Sequence, residues 1–316
     1  MHEPGTARES ARLQPGGRYR GRFAPSPTGA LHLGSLTAAL GSWLLARHAG
    51  GDWLVRVEDI DPPREVPGAA RQQIETLKAF GLESDEPVVF QSARSELYEA
   101  ALRRLLDAGT AFACRCSRSD LAASDGIHRV CVPRPSGKAS AFRLRVPEQD
   151  IAFVDRFRGR FAQNLAREAG DFVLKRADGL WAYQLAVVVD DHAQGITEVV
   201  RGADLIDSTP RQIHLQRLLG LPTPAYAHLP LALDASGAKL SKRSASLPVD
   251  PGDPLPALRA ALAFLGQPLP AVPAAAGPAG LLAAAARDFD LARIPRESRT
   301  PAYADAQGAP TAATHR

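Results

Sequence analysis

Short apolar segments alternate with segments of helical length over the first hundred residues, and this order constrains the fold more than any other feature. The predicted elements are, in chain order, a strand at 20–23, a helix at 36–49, a strand at 53–57, a helix at 68–80, a strand at 88–90 and a helix at 95–108. Strands that alternate with helices favour a parallel sheet, because a helix supplies the crossover between parallel strands. The sequence therefore predicts an α/β fold.

The pattern breaks between residues 111 and 172, which contain all the cysteines and a Pro/Gly/Ser stretch, and we predict an insertion with antiparallel character. Beyond it, the apolar run Leu185 to Val189 is typical of a strand buried on both faces. Further helices are predicted at 211–219, 254–265 and 280–286. The predicted organisation is a disordered arm (1–19), the first half of a catalytic domain (20–110), the insertion (111–172), the second half (173–245), a short helical region (246–293) and a disordered tail (294–316).

The chain carries a net charge of +4 with a pI near 9.1, which permits an acidic partner such as RNA but does not require one. No apolar run approaches membrane-spanning length, and the first twenty residues lack the apolar stretch of a signal peptide. We therefore expect a cytoplasmic protein without a membrane partner.

The segment Arg22 to Ser35, RFAPSPTGALHLGS, predicts an anion site. A strand ends there, a proline-braced turn follows, and small residues enter a helix whose N-terminus presents N–H groups to a negative ligand. Glycines allow a ligand to approach the backbone closely, and His32 can donate to phosphate oxygens. The candidate nucleotide-binding residues in this segment are Pro25, Thr28, Gly29, His32, Gly34 and Ser35. The alternative is an ordinary strand–turn–helix with a surface histidine.

A second basic motif, KLSKR, contains Lys239, Ser241 and Lys242. It follows Gly237 and precedes Pro248, so we predict a loop. Two ammonium groups on a mobile loop can close over a triphosphate and stabilise the charge of departing pyrophosphate. The alternative is a solvated basic loop without a ligand.

Three cysteines fall within a short segment, and in a cytoplasmic chain such a cluster indicates a metal rather than disulfides. Structural zinc takes four ligands, so Cys114, Cys116 and Cys131 need a fourth. His128 lies closest in sequence and is the preferred candidate, with Asp125 weaker. We expect one structural zinc ion per chain. The alternative is three buried cysteines without a metal.

Two of these sequence segments, HLGS and KLSKR, resemble the two signature motifs of class I aminoacyl-tRNA synthetases. RFAPSPTG, VRVEDID and VVVDDHAQGITEVVRGADL narrow the resemblance to the glutamyl-tRNA synthetase group, over residues 20–286. The resemblance implies a Rossmann-like catalytic domain that joins glutamate to ATP with Mg²⁺, with His32 and Lys242 as catalytic residues.

The resemblance also implies a glutamate pocket. Its candidate residues are Arg22, Phe23, Ala24, Pro25, Ser26, Glu58, Tyr183 and Arg201. The planar guanidinium of arginine can bind a carboxylate with two hydrogen bonds, and the negative charge of Glu58 can pair with the α-ammonium of glutamate. The alternatives are a surface ion pair of Arg56 with Glu58, a core position for Tyr183 and a strand-capping role for Arg201.

Too few residues follow Arg243 for the helical anticodon-binding domain of a full glutamyl-tRNA synthetase. The chain therefore resembles the truncated glutamyl-queuosine branch of the family. This branch activates glutamate without tRNA and attaches it to queuosine in the anticodon loop of tRNA(Asp). We expect a monomer. Two alternatives stay open, a minimal glutamyl-tRNA synthetase that charges the 3′ end of tRNA and a non-catalytic paralogue that binds glutamate or RNA.

Overall fold

The computed structural model describes residues 17–132, 140–233 and 248–299. The strands are β1 (Arg20–Phe23), β2 (Asp52–Val57), β3 (Val89–Phe90), β4 (Ala111–Cys114), β5 (Ala141–Leu144), β6 (Asp150–Asp155), β7 (Gly159–Asn164), β8 (Phe172–Lys175), β9 (Glu198–Gly202) and β10 (Ala225–Leu229). The α-helices are α1 (Leu33–His48), α2 (Ala69–Ala79), α3 (Ser95–Asp107), α4 (Arg118–Leu121), α5 (Leu165–Glu168), α6 (Tyr183–Ala193), α7 (Thr209–Leu218), α8 (Pro254–Phe264) and α9 (Gly277–Arg287).

Parallel strands form the centre of the molecule. β1 pairs with β2 and β2 with β3, while β9 and β6 flank β10, all in parallel. The two groups meet where the Thr197 N–H, just before β9, donates to the Arg20 carbonyl of β1 at 2.9 Å. The predicted α/β fold with a parallel sheet is therefore confirmed.

Helix α1 follows the first strand and is buried along most of its length, including Leu36, Leu40 and Leu44. It packs against β1, α8 and α9 in one apolar core that also holds Trp53 and Leu262. Because α1 is fixed on several sides, its N-terminus is a rigid support for the turn that precedes it. No helix within the described ranges is long and apolar enough to cross a membrane.

An antiparallel sheet of β4, β5 and β8 lies within the region predicted as an insertion and just beyond it. It packs on a second apolar core, which includes Leu102, Leu144 and Leu174. Between β5 and β8, the hairpin of β6 and β7 joins the central sheet through β10. At the other end of the chain, Ile294 is buried against the first core.

The predicted strand at Leu185 to Val189 is wrong, because these residues lie in the middle of helix α6. All five are buried, so the helix presents apolar side chains on every face and its sequence lacks the usual amphipathic period. A short apolar run of this kind fits a buried strand and a buried helix equally well.

Candidate active site and metal centre

The turn after β1 carries the first predicted motif. Residues 24–32 cross from the end of a parallel strand to the N-terminus of α1, where N–H groups and the helix dipole favour an anion. A cavity of about 320 Å³ opens beside this turn. The predicted nucleotide-site residues that line it are Pro25, Thr28, His32, Gly34 and Ser35.

His32 is fixed as the N-cap of α1. Its Nδ1 accepts a hydrogen bond from the Ser35 N–H at 3.3 Å, and the Ser35 hydroxyl accepts one from the His32 N–H at 2.8 Å. Because Nδ1 accepts, the neutral ring carries its proton on Nε2. Gly34 leaves room for the ring, since a Cβ at that position would lie 3.1 Å from His32 Cε1. The HLGS sequence thus fixes both the position and the tautomer of the imidazole.

Gln73 on α2 supports the turn from behind, a role that no local sequence pattern indicates. Its amide donates to the Ser26 carbonyl at 3.1 Å and to the Gly29 carbonyl at 2.7 Å. Gln73 is buried and lines the same cavity, whereas Gly29 does not. Gly29 instead supplies a positive φ of 137°, which favours glycine.

A larger cavity of about 820 Å³ meets the first one at the turn, and both are lined by Ala24, Ser26 and Thr28. The larger cavity also contains Glu58 and Tyr183, two of the residues predicted for glutamate. The structure therefore places residues of both predicted sites around one turn, where the two cavities meet.

Arg22 and Arg56 form a buried charge cluster beneath the turn. Asp191, at the end of α6, accepts from Arg22 Nε at 3.0 Å and from Arg56 Nη2 at 2.9 Å. The neighbouring Asp190 accepts from the Tyr98 hydroxyl at 2.7 Å. Burial opposes the charge of Asp191, but Arg22 and Arg56 outweigh it and hold the pKa of this carboxyl below its ordinary value.

Glu58 lies at the junction of this cluster and the larger cavity. Its carboxylate is 3.4 Å from Arg56 Nη2, and the Arg56 side chain is fully buried. The alternative of a surface ion pair between these two residues is therefore wrong. Burial raises the pKa of Glu58, and Arg56 and Arg22 offset this only in part. A cationic group in the cavity would stabilise the charged carboxylate.

Arg201, on β9, is buried and lies against Tyr183 at the start of α6. Its Nη1 donates to the Tyr183 hydroxyl at 3.1 Å, and its Nη2 donates to Thr209 Oγ1 at 2.8 Å. Tyr183 lines the larger cavity, whereas Arg22 and Arg201 line neither cavity. The binding roles of these residues stay predictions.

The predicted metal ligands come together. The ligand atoms of Cys114, Cys116, His128 and Cys131 all lie within 4.8 Å of one another. His128 Nε2 is 3.3 Å from Cys114 Sγ and 3.6 Å from Cys131 Sγ. Three thiolates and one imidazole form a donor set typical of structural zinc, so the residues fit a metal ion. In the described ranges, the group of four does not include the weaker candidate Asp125.

The contacts that hold His128 in place also favour a metal site. Asp171 Oδ2 lies 3.0 Å from His128 Nδ1, which directs Nε2 at the sulfur atoms in the way that carboxylates orient metal-binding histidines. Gly170 has a positive φ of 67°, and a Cβ there would lie 2.5 Å from the His128 carbonyl oxygen. The chain can therefore pass behind His128 only at a glycine.

Lys239, Ser241 and Lys242 lie outside the described residues, so the prediction for the KLSKR motif is untested.

Comparisons with known proteins agree with this geometry. The family model described as tRNA synthetases class I (E and Q), catalytic domain, matches residues 18–129 and 132–266. A "Glutamyl-Q tRNA(Asp) synthetase" of Xanthomonas campestris pv. campestris (strain 8004) is 64% identical over 279 residues, which cover 88% of this chain and 94% of the relative. One of the same name from Neisseria meningitidis serogroup C (strain 053442) is 51% identical, covering 90% of this chain and 99% of the relative.

Among solved structures, glutamate-tRNA synthetase from Elizabethkingia anophelis is similar with a TM-score of 0.74 and 27% identity, covering 90% of this chain and 68% of that one. The parallel sheet, the turn that supports both cavities and the extent of the family match agree with one another. The chain belongs to the catalytic-domain family of class I tRNA synthetases for glutamate and glutamine.

Proposed function

We propose that the protein activates glutamate with ATP, without the help of tRNA, and transfers the glutamyl group to queuosine in the anticodon loop of tRNA(Asp). The observation that carries the proposal is the meeting of the two cavities at the Ala24–Thr28 turn. The relatives that are named for glutamyl-Q tRNA(Asp) support the acceptor.

In the proposed complex, ATP occupies the smaller cavity beside the N-terminus of α1. The Nε2–H of His32 donates to the phosphates, and the ammonium groups of KLSKR stabilise their negative charge. Attack on the α-phosphorus is catalysed mainly by positioning of the reactants and by stabilisation of negative charge, and hydrogen-bond donors on a rigid helix terminus can supply both. Magnesium bound with ATP would neutralise further phosphate charge.

Glutamate occupies the larger cavity in this proposal. Glu58 receives the α-ammonium, and the Tyr183 hydroxyl, backed by Arg201, receives the side-chain carboxylate. An α-carboxylate oxygen then attacks the α-phosphorus of ATP where the two cavities meet, and pyrophosphate leaves. In the second step, a hydroxyl of the queuosine cyclopentene-diol attacks the acyl carbon, and AMP leaves.

We propose zinc for the cluster of three cysteines and His128, one ion per chain. Zinc would tie β4 to the segment that ends at Cys131 and so stabilise the region beside the larger cavity, which includes Cys116 in its wall. We also propose that the protein is a cytoplasmic monomer.

Pyrophosphate exchange tests the first step. With glutamate and ATP but no RNA, the protein should exchange labelled pyrophosphate into ATP. Exchange that requires added tRNA(Glu) would favour a minimal glutamyl-tRNA synthetase, and no exchange under either condition would favour a non-catalytic paralogue.

A further inference from the structure

We infer that His228 and Asp155 are positioning residues for glutamate recognition and act through Arg201. The inference rests on the proposed function, in which Arg201 and Tyr183 meet the side-chain carboxylate of glutamate. Neither His228 nor Asp155 lines the two cavities, so any effect on the substrate must be transmitted.

Neighbouring strands bring the three side chains into line. His228 on β10 is the register partner of Arg201 on β9, and Asp155 ends β6 on the other side of β10. The side chains of His228 and Asp155 are 0% exposed, so water does not compete for their hydrogen bonds. Asp155, His228 and Arg201 thus form a row across the sheet, and the row ends at Tyr183 in the wall of the larger cavity.

Donor and acceptor roles in this row are fixed by Arg201, which can only donate. Its Nε–H donates to His228 Nε2 at 3.1 Å, so that nitrogen carries no proton. The proton of the neutral ring is therefore on Nδ1 and is donated to Asp155 Oδ2 at 2.6 Å. Asp155 in turn accepts from the Phe157 and Arg158 N–H groups at 3.0 and 2.9 Å, which fix its carboxylate.

The remaining contacts of Arg201 show what this row controls. Nη2 is held by Thr209 and by the Leu205 carbonyl, and Nη1 donates to the Tyr183 hydroxyl. Because the Tyr183 oxygen accepts from Arg201, its own proton can be directed into the cavity. His228 thus holds the Nε side of the planar Arg201 guanidinium, and Nη1 of the same guanidinium sets the direction of the Tyr183 hydroxyl.

A purely structural role makes a different prediction from a positioning role. If the buried pair only stabilised the sheet, its loss would lower the free energy of unfolding and the active fraction, without a selective effect on one substrate. If it positions Arg201, its loss weakens glutamate binding in the ground and transition states alike. The KM for glutamate then rises, while kcat and the KM for ATP stay nearly constant.

The test compares His228→Leu with His228→Gln by pyrophosphate exchange, together with thermal unfolding. Leucine leaves the Arg201 Nε–H unpaired and should raise the KM for glutamate roughly 10-fold or more, as expected for an orphaned buried donor. Glutamine offers an oxygen acceptor at a similar distance and should recover most of this loss. In Asp155→Asn, the asparagine amide can donate to Nδ1 and so favour the wrong tautomer, and the KM for glutamate should rise with intact His228.

Equal KM values for glutamate in wild type, His228→Leu and Asp155→Asn would overturn the inference. So would a His228→Leu defect that glutamine does not relieve although the protein unfolds at a similar temperature. If leucine prevents folding, Asp155→Asn and His228→Gln decide the question. A wild-type protein without glutamate-dependent exchange would contradict the proposed function itself, so the two failures are distinguishable.

Discussion

Arg22 and Asp191 form a buried two-point ion pair, with Nε and Nη2 of the arginine 3.0 and 3.3 Å from the two carboxylate oxygens. The pair joins β1, where the nucleotide turn begins, to the last turn of α6, whose first residue is Tyr183. It is therefore a direct link between the supports of the two cavities.

Asp191→Asn should destabilise the protein by about 3–5 kcal/mol, because the buried Arg22 guanidinium loses its anionic partner and Arg56 loses one of its own. Chemical denaturation measures this change. The matched control is Asp52→Asn, which removes a partly exposed partner of Arg20 and should cost less than about 1 kcal/mol. Equal, small effects of both substitutions would contradict the role of the buried cluster.

The Arg22–Asp191 pair also predicts that the protein loses stability in acid. The pKa of Asp191 is lower in the folded protein than in the unfolded chain, so the unfolded chain binds its proton first as the pH falls. The stabilisation is complete above the ordinary value of about 4 and is lost as the pH falls through the lower, folded value. Wild type should lose more stability than Asp191→Asn as the pH falls below about 4, as denaturation at several pH values would show. Parallel curves would contradict this assignment.

His32→Ala and Lys242→Ala should each lower adenylate formation roughly 100-fold or more, as for the loss of a transition-state donor. Gly34→Ala tests the geometry separately, because its new Cβ would displace the His32 ring while leaving the imidazole present. It should lower the rate with little change in the unfolding temperature. Near-normal exchange in all three variants would refute the assignment of the nucleotide site.

Glutamine should be a poor substrate. Its amide cannot replace the charged carboxylate against Arg201 and Tyr183, and leaving a buried charge without its partner costs on the order of 2–5 kcal/mol. Exchange assays with the two amino acids measure the ratio of their kcat/KM values. Equal values would show that the pocket does not select a carboxylate.

Elemental analysis should find about one zinc ion per chain. Cys114→Ser and His128→Ala should lower the zinc content, and Asp171→Asn should weaken retention about 10- to 100-fold in competition with a chelator. Asp125→Ala is the control and should retain the metal. Metal-free wild type with full stability would favour three cysteines without a metal.

The sequence predicted the α/β order, the turn beside the cavities and the four candidate metal ligands, because each depends on residues close together in the chain. It did not predict the pairing of Arg56 with Asp191, the brace from Gln73 or the contact of Asp171 with His128. These contacts join distant segments, and their partners are ordinary polar residues whose separation no local pattern encodes. The run Leu185 to Val189 indicates a strand although it lies in helix α6, because burial on all faces removes the period that distinguishes a helix from a strand.

The central claim is tested most directly by identifying the nucleotide that accepts glutamate. Purified protein, ATP and labelled glutamate should be incubated with tRNA(Asp) that carries queuosine, with the same tRNA that carries guanosine at that position, and with tRNA(Glu), followed by mass analysis of the nucleosides. Glutamate should appear on queuosine alone, and periodate oxidation of its diol should abolish the transfer. Glutamate on the terminal adenosine of tRNA(Glu), with none on queuosine, would contradict the account.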